Sequence, residues 1–174
     1  MEFDYIIVGA GSAGCAAANR LSENGKYSVA LLEAGGKDNN PWIHIPVGYF
    51  KTMGNPKTDW CYSTQSDDGL NGRSIPWPRG KVLGGCSSIN GLLYVRGQSQ
   101  DYDNWQNLGN IGWGWDDVLP LFKMAETWKG NTRSNLRGHT GPLSVSPTRL
   151  SREVVDKWVD AAVESGYKRN YDYN

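Results

Sequence analysis

The sequence is poor in several residues that usually announce a function. It has three cysteines, Cys15, Cys61 and Cys86, and no CxxC pair. Neither a disulfide framework nor a zinc site is therefore expected, and no metal ligand set is assigned. It has only two histidines, His44 and His139. It lacks a charge surplus, since 18 Lys and Arg stand against 18 Asp and Glu. That balance argues against nucleic-acid binding, which draws on a basic excess. No block of like charge reads as a tail. The opening Met-Glu-Phe-Asp-Tyr carries no basic leader or cleavage pattern. The apolar runs are far too short to span a bilayer. The expectation is a soluble, cytoplasmic protein, with peripheral membrane association left open.

Glycine and tryptophan are abundant, at 22 and 8 of 174 residues. The glycines suggest turns and close backbone approach. The tryptophans suggest core packing first and a ring-binding pocket second. Tyr5-Ile6-Ile7-Val8 is a short apolar run, as in a strand buried on both faces. A helix is expected from Ser12 to about Asn24, its apolar face made by Ala13, Ala16, Ala17 and Leu21, with Gly25 as the stop. Ser28 to Leu32 reads as a second buried strand, ending on Glu33. The unit is strand, crossover helix, parallel strand.

Ala34 to Cys86 shows little sustained period. A structureless span of that length is uncommon inside a compact domain. It is expected to be built around a ligand and other segments, or to hold short strands without clear signals. Helical pattern returns at Ser87–Val95, at Gln100–Leu108, and at Trp115–Thr127, where Pro120 is awkward. Gly130–Thr140 reads as an exposed polar loop and Leu143–Val145 as a brief strand. Ser151–Ser165 is an amphipathic helix with Ser151 as N-cap and a buried face of Val154, Val155, Trp158, Val159, Ala162 and Val163. Two convincing strands do not make a stable sheet, so the fold is expected to be completed by segments beyond them.

Gly9, Gly11 and Gly14 form G-x-G-x-x-G between a strand and a helix, with Glu33 closing the next strand. Gly9 permits the tight turn, Gly11 lets backbone approach a pyrophosphate, and Gly14 lets the helix pack close to the strand. The helix N-terminus presents free N–H groups to phosphate. Glu33 suits ribose hydroxyls and repels a 2′-phosphate, which disfavours NADP. Alone, this constellation says "dinucleotide". A second element, Trp77 to Gly91, places Arg79 and Lys81 before a Gly84-Gly85 turn and then Cys86, Ser87 and Ser88. Its backbone amides suit an anion or a ring edge, and a capped helix after an ordinary turn is the alternative.

Together these segments resemble the N-terminal part of the glucose–methanol–choline (GMC) oxidoreductases, nearest the bacterial alcohol and choline dehydrogenases. The resemblance rests on Asp4–Gly14, Leu31–Gly35, Asn71–Arg73, Trp77–Gly80, Gly80–Asp103 and Trp113–Trp115. It implies an α/β, Rossmann-like FAD-binding fold, incomplete in this chain, over residues 1–98. Residues 99–174 would begin an α+β lid or substrate domain. It implies that Gly9, Gly11, Ser12, Ala13 and Gly14 cradle the FAD pyrophosphate and that Glu33 and Ala34 hold the adenosine end. Val82, Gly84, Asn90, Gly91, Leu92 and Leu93 would approach the flavin or its phosphates. Arg79 is counted with these cofactor-binding residues. Trp60 would be a flavin-proximal aromatic, a packed core Trp being the alternative. Cys86 replaces the usual Gly, Ser or Thr and is read as a small buried thiol, not a nucleophile. Ile89 stands where some members attach FAD through histidine, so non-covalent FAD is expected.

The implied chemistry is oxidation of a primary alcohol, a base taking the hydroxyl proton as hydride moves to flavin N5. The family's basic histidine lies far downstream in a longer chain, and neither His44 nor His139 matches it. No catalytic residue is therefore assigned. A complementary chain or missing part is expected to carry the rest of the sheet and that histidine, with a small alcohol as substrate. The competing readings are an FAD-dependent hydroxynitrile lyase and a non-catalytic truncated fragment. An NAD-binding domain fits less well, because simple NAD domains lack so long an Ala34–Cys86 insertion.

Overall fold

The structure is a computed structural model that describes residues 2–131 and 134–174. It divides into two compact units, the first ending at Leu93 and the second running Tyr94–Asn174. In the first unit, β1 (Tyr5–Val8) and β2 (Val29–Leu32) pair in parallel, with Tyr5 opposite Val29 and Val8 opposite Leu32. Helix α1 (Ser12–Ser22) crosses between them. The strand–helix–strand reading holds, but its burial does not. Ile6 is 62% and Val8 84% exposed, and α1 has no buried residue, Ala13, Ala16 and Ala17 included. The reason is geometric: a two-stranded sheet has an open edge on both sides, and one helix covers at most one of its faces.

The stretch after β2 does hold short, weakly signalled structure. A one-turn helix α2 (Tyr49–Thr52) is followed by a tiny antiparallel pair, β3 (Tyr62–Ser63) and β4 (Pro76–Trp77). Two-residue strands are too short for a period-2 pattern to be read. The expected helix at Ser87–Val95 is a single 3₁₀ turn, Gly85–Ser88, followed by irregular chain. Asn90 stops it, because its side-chain oxygen accepts the Leu92 N–H at 3.0 Å and Leu92 takes a left-handed φ of 61°. The buried apolar side chains of this unit are Ala10, Val82 and Ile89, all on its loops.

In the second unit, α3 (Ser99–Asn107) and α4 (Trp115–Ala125) occupy the expected places. Asp101 accepts the Gln98 N–H at 2.8 Å, and Asp117 accepts the Gly114 N–H at 3.2 Å. Each carboxylate thereby satisfies a free amide before its helix. Helix α4 runs on past Pro120, but its expected last residues, Glu126 and Thr127, instead open β5 (Glu126–Trp128). Strand β5 pairs in parallel with β6 (Leu143–Val145). Tyr102 packs against Trp105, Trp115 and Phe122 at ring separations of 5.5–5.6 Å, but the core packing expected first for the tryptophans is not met: none is buried, and Trp105 itself is 48% exposed.

Three expectations fail here. The 130–140 segment, of which 132 and 133 lie outside the described residues, is not simply an exposed loop, because Arg137 and Gly138 are buried. Glu126, fully buried, draws Arg137 inward at 2.8 Å, and Arg96 joins at 2.5 Å. Helix α5 (Glu153–Glu164) forms, but Arg152 precedes it, and Ser151 donates its hydroxyl to Asp156 at 2.8 Å instead of capping. Its apolar face is not buried either: Val154 is 72% and Trp158 79% exposed, since none of the described residues covers it.

Candidate functional site

Three segments of the first unit converge on one cleft of about 610 Å³. The first is the β1–α1 loop. A Cβ on Gly14 would lie 1.9 Å from the Gly9 carbonyl oxygen, so the helix start and the turn touch only because position 14 is glycine. A Cβ on Gly11 would meet nothing within 4 Å, so this backbone faces open space. The first amides of α1, from Ser12 to Gly14, lack intrahelical acceptors. The second segment is the end of β2. Glu33 accepts the Ala10 and Gly35 N–H groups, one on each carboxylate oxygen, both at 2.8 Å. Each oxygen keeps one lone pair for a further donor.

The third segment, Arg79–Cys86, crosses the other two. The Gly84 N–H donates to the Ala10 carbonyl at 2.8 Å, and the Leu83 N–H donates to the Gly36 carbonyl at 2.9 Å. A Cβ on Gly85 would sit 2.8 Å from the Gly11 Cα. The same segment pairs with Thr58–Trp60: the Lys81 N–H reaches the Thr58 carbonyl at 2.8 Å and the Trp60 N–H reaches the Arg79 carbonyl at 2.9 Å. Trp60 lies parallel to Tyr62, ring centroids 5.9 Å apart, with the Lys81 ammonium 4.5 Å from the Trp60 ring.

The cleft brings together Gly9, Gly11, Glu33, Ala34, Trp60 and Arg79 of the expected residues. Ser12, Ala13 and Gly14 adjoin it at the start of α1. Val82 and Gly84 are not part of the lining; Val82 is buried and Gly84 half-buried. Asn90, Gly91, Leu92 and Leu93 are not part of the lining; they are exposed on the irregular chain beyond. The lining also includes Val8, Leu32, Tyr62, Gly80, Gly85 and Cys86. The hydrophobic strand ends Val8 and Leu32 read as core, yet they are exposed on the two-stranded sheet. Cys86 is exposed, not buried, and its sulfur accepts the Gly80 N–H at 3.4 Å. His44 is turned to its own loop, its Nε2 2.6 Å from the Asp38 carbonyl oxygen, and it does not line the cleft.

Behind the cleft sits Asp59, which sequence reasoning did not single out. Its Oδ2 accepts the Gly54 N–H at 2.7 Å, and its Oδ1 accepts the Cys61 and Arg79 N–H groups, both at 2.9 Å. Burial pushes its carboxyl up, but these three amides and the Arg79 charge hold it below the ordinary aspartate value.

A glycine cradle, free helix amides and a ribose-ready carboxylate on one cleft suit a dinucleotide with a pyrophosphate. Residues 3–174 match the GMC oxidoreductase family. This chain belongs to that family. GMC oxidoreductases are FAD-dependent, and the cradle fits that cofactor. The chain is 45% identical to an oxygen-dependent choline dehydrogenase of Vibrio vulnificus, covering 99% of this chain and 31% of the relative. It is 44% identical to an alcohol dehydrogenase [acceptor] of Pseudomonas putida, again over 99% of this chain and 31% of the relative. A solved pyridoxine 4-oxidase from Mesorbium loti superposes with a TM-score of 0.92 at 33% identity, covering 99% of this chain and 34% of that one. The chain thus spans about a third of the length of the proteins it matches. Among the described residues no helix is long and apolar enough to cross a membrane, and no group of His, Cys, Asp and Glu could hold a metal ion.

Proposed function

We propose that this chain is the FAD-binding portion of an oxidoreductase that converts a primary alcohol to an aldehyde. The observation that carries the reading is the convergence of the Gly9–Gly14 cradle, Glu33 and the Arg79–Cys86 segment on one cleft. The amides of Ser12, Ala13 and Gly14 bind the pyrophosphate, and Glu33 takes the ribose hydroxyls with its remaining lone pairs. Ala34 borders the adenosine end. Trp60 and Arg79 form the opposite wall. Asn90, Gly91, Leu92 and Leu93 are exposed and available to the flavin end. The bound flavin supplies a two-electron acceptor for hydride from the alcohol carbon. Ile89 is buried and has no nucleophile, which supports non-covalent attachment.

The base that removes the hydroxyl proton lies outside this chain, on the remainder of the polypeptide or a complementary chain. His44 is engaged with its own loop, which supports that reading. Three unpaired, exposed thiols support a reducing, cytoplasmic setting. The test is a visible spectrum before and after denaturation, followed by anaerobic addition of a primary alcohol. Flavin released by denaturation and bleached by the alcohol is the expected result. Flavin that stays oxidised would favour a non-redox member of the family, and absence of flavin would overturn the cofactor assignment.

A further inference from the structure

Asp59 is the one buried ionisable side chain among the described residues of the first unit, 2% exposed. Carboxylates are seldom buried without a partner of opposite charge or a full set of donors. Here three backbone N–H groups, from Gly54, Cys61 and Arg79, meet its two oxygens at 2.7–2.9 Å. Gly54 and Cys61 flank Asp59 in sequence, and Arg79 comes from a separate stretch of chain. The Arg79 peptide is gripped from both sides, its N–H by Asp59 Oδ1 and its carbonyl by the Trp60 N–H at 2.9 Å. Cys61 holds a left-handed φ of 55°, a conformation costly for a residue with a side chain. The Asp59 oxygen that accepts the Cys61 N–H stabilises that turn. The turn in turn sets where Trp60 and Tyr62 stand, and both line the cleft with Arg79 and Gly80.

We infer that Asp59 is a positioning residue for the cofactor: its carboxylate fixes the Trp60–Arg79 wall against which the dinucleotide rests. The inference builds on the FAD reading above and adds a residue that does not itself touch the cleft. Its requirement is an anionic acceptor with two oxygens. In Asp59→Asn, one oxygen still takes two amides, but the new NH₂ faces the Gly54 N–H, donor against donor.

The experiment measures FAD affinity and flavin visible circular dichroism in the FAD-loaded protein that contains this chain, comparing wild type, Asp59→Asn, Asp59→Ala and Asp59→Ala/Cys61→Gly. Expected for Asp59→Asn is about a tenfold or larger loss of FAD affinity, with an altered dichroism per bound flavin. Asp59→Ala removes the acceptor of the Cys61 N–H as well, and glycine adopts the left-handed turn without help, so Asp59→Ala/Cys61→Gly should recover part of both signals relative to Asp59→Ala. An Asp59→Asn protein that melts earlier yet binds FAD with wild-type affinity and dichroism would overturn the inference, leaving Asp59 as a stability residue only. Where Asp59→Asn does not fold, Asp59→Glu keeps the charge and shifts the acceptor by one methylene. The same loss of affinity is then expected, and an unchanged affinity overturns the inference. Wild-type protein without flavin would refute the FAD reading itself, a distinct outcome from any of these.

Discussion

Two buried carboxylates, one in each unit, solve the same problem in opposite ways. Asp59 is neutralised by backbone amides, whereas Glu126 is neutralised by side chains. Glu126 bonds Arg96 at 2.5 Å and Arg137 at 2.8 Å, and accepts the Gly138 N–H at 3.0 Å. Arg137 goes on to Asp172, and Arg96 reaches the Leu136 carbonyl at 2.6 Å. Every buried side-chain N or O among the described residues has a partner. The ionic cluster is therefore closed: it ties Arg96, the start of β5, the 136–138 segment and the chain near Asn174 together. The first unit instead spends its donors on backbone geometry and leaves helix amides and Glu33 lone pairs facing open space. Closed ionic satisfaction marks structure, and open backbone donors mark a binding site.

Removing the centre of the ionic cluster should have the largest effect on stability. Glu126→Ala leaves two buried guanidinium groups facing each other, and a loss of roughly 3–5 kcal/mol is expected in chemical denaturation. FAD affinity of the molecules that remain folded should stay near wild type. Equal loss of both properties would break the distinction between the two regions.

Gly14→Ala is the converse. The new methyl would overlap the Gly9 carbonyl at 1.9 Å, costing about 1–3 kcal/mol, and it would dislodge the phosphate cradle. Loss of the bound-flavin absorbance out of proportion to the fall in melting temperature is the expected outcome.

Acid should separate the regions less sharply. Hydrogen bonding from Arg137 holds the Asp172 carboxyl below its usual range despite burial, with the Asn174 amide and the Arg96 charge assisting. Asp59 is held low as well. A lowered folded-state pKa contributes stability that is fully present above the unfolded value near 3.8 and is lost as pH falls through the folded value. Denaturation followed from pH 6 to pH 3 should therefore lose stability only toward the acid end. Asp172→Asn should be destabilised by about 1–2 kcal/mol at pH 6 and show a flatter acid limb. Equal slopes would remove Asp172 from the cluster.

The smallest effect is expected on α5. Trp158→Ala, at a side chain 79% exposed, should change stability by no more than about 0.5 kcal/mol. A loss several times larger would mean that this face is covered in the whole protein.

The sequence alone settled the βαβ unit, because its signals are local: an apolar run, glycines at fixed spacing, a helix start and an acid at the next strand end. It also placed α3, α4 and α5, whose periodicity spans enough turns to be read. The tertiary structure decided the rest. The cleft wall joins residues near 9, 33, 60 and 80 through backbone contacts that no pattern encodes. Glu126 reads as the end of a helix and Arg137 as part of a polar loop, yet burial pairs them. The amphipathic pattern of α5 says which face is apolar, but burial requires a neighbour to cover it. Asp59 looks like one acid in a polar stretch, and only the fold brings the Gly54, Cys61 and Arg79 amides to its oxygens. Local propensity depends on neighbours in sequence, whereas neutralising a buried charge depends on groups brought together by the folded chain.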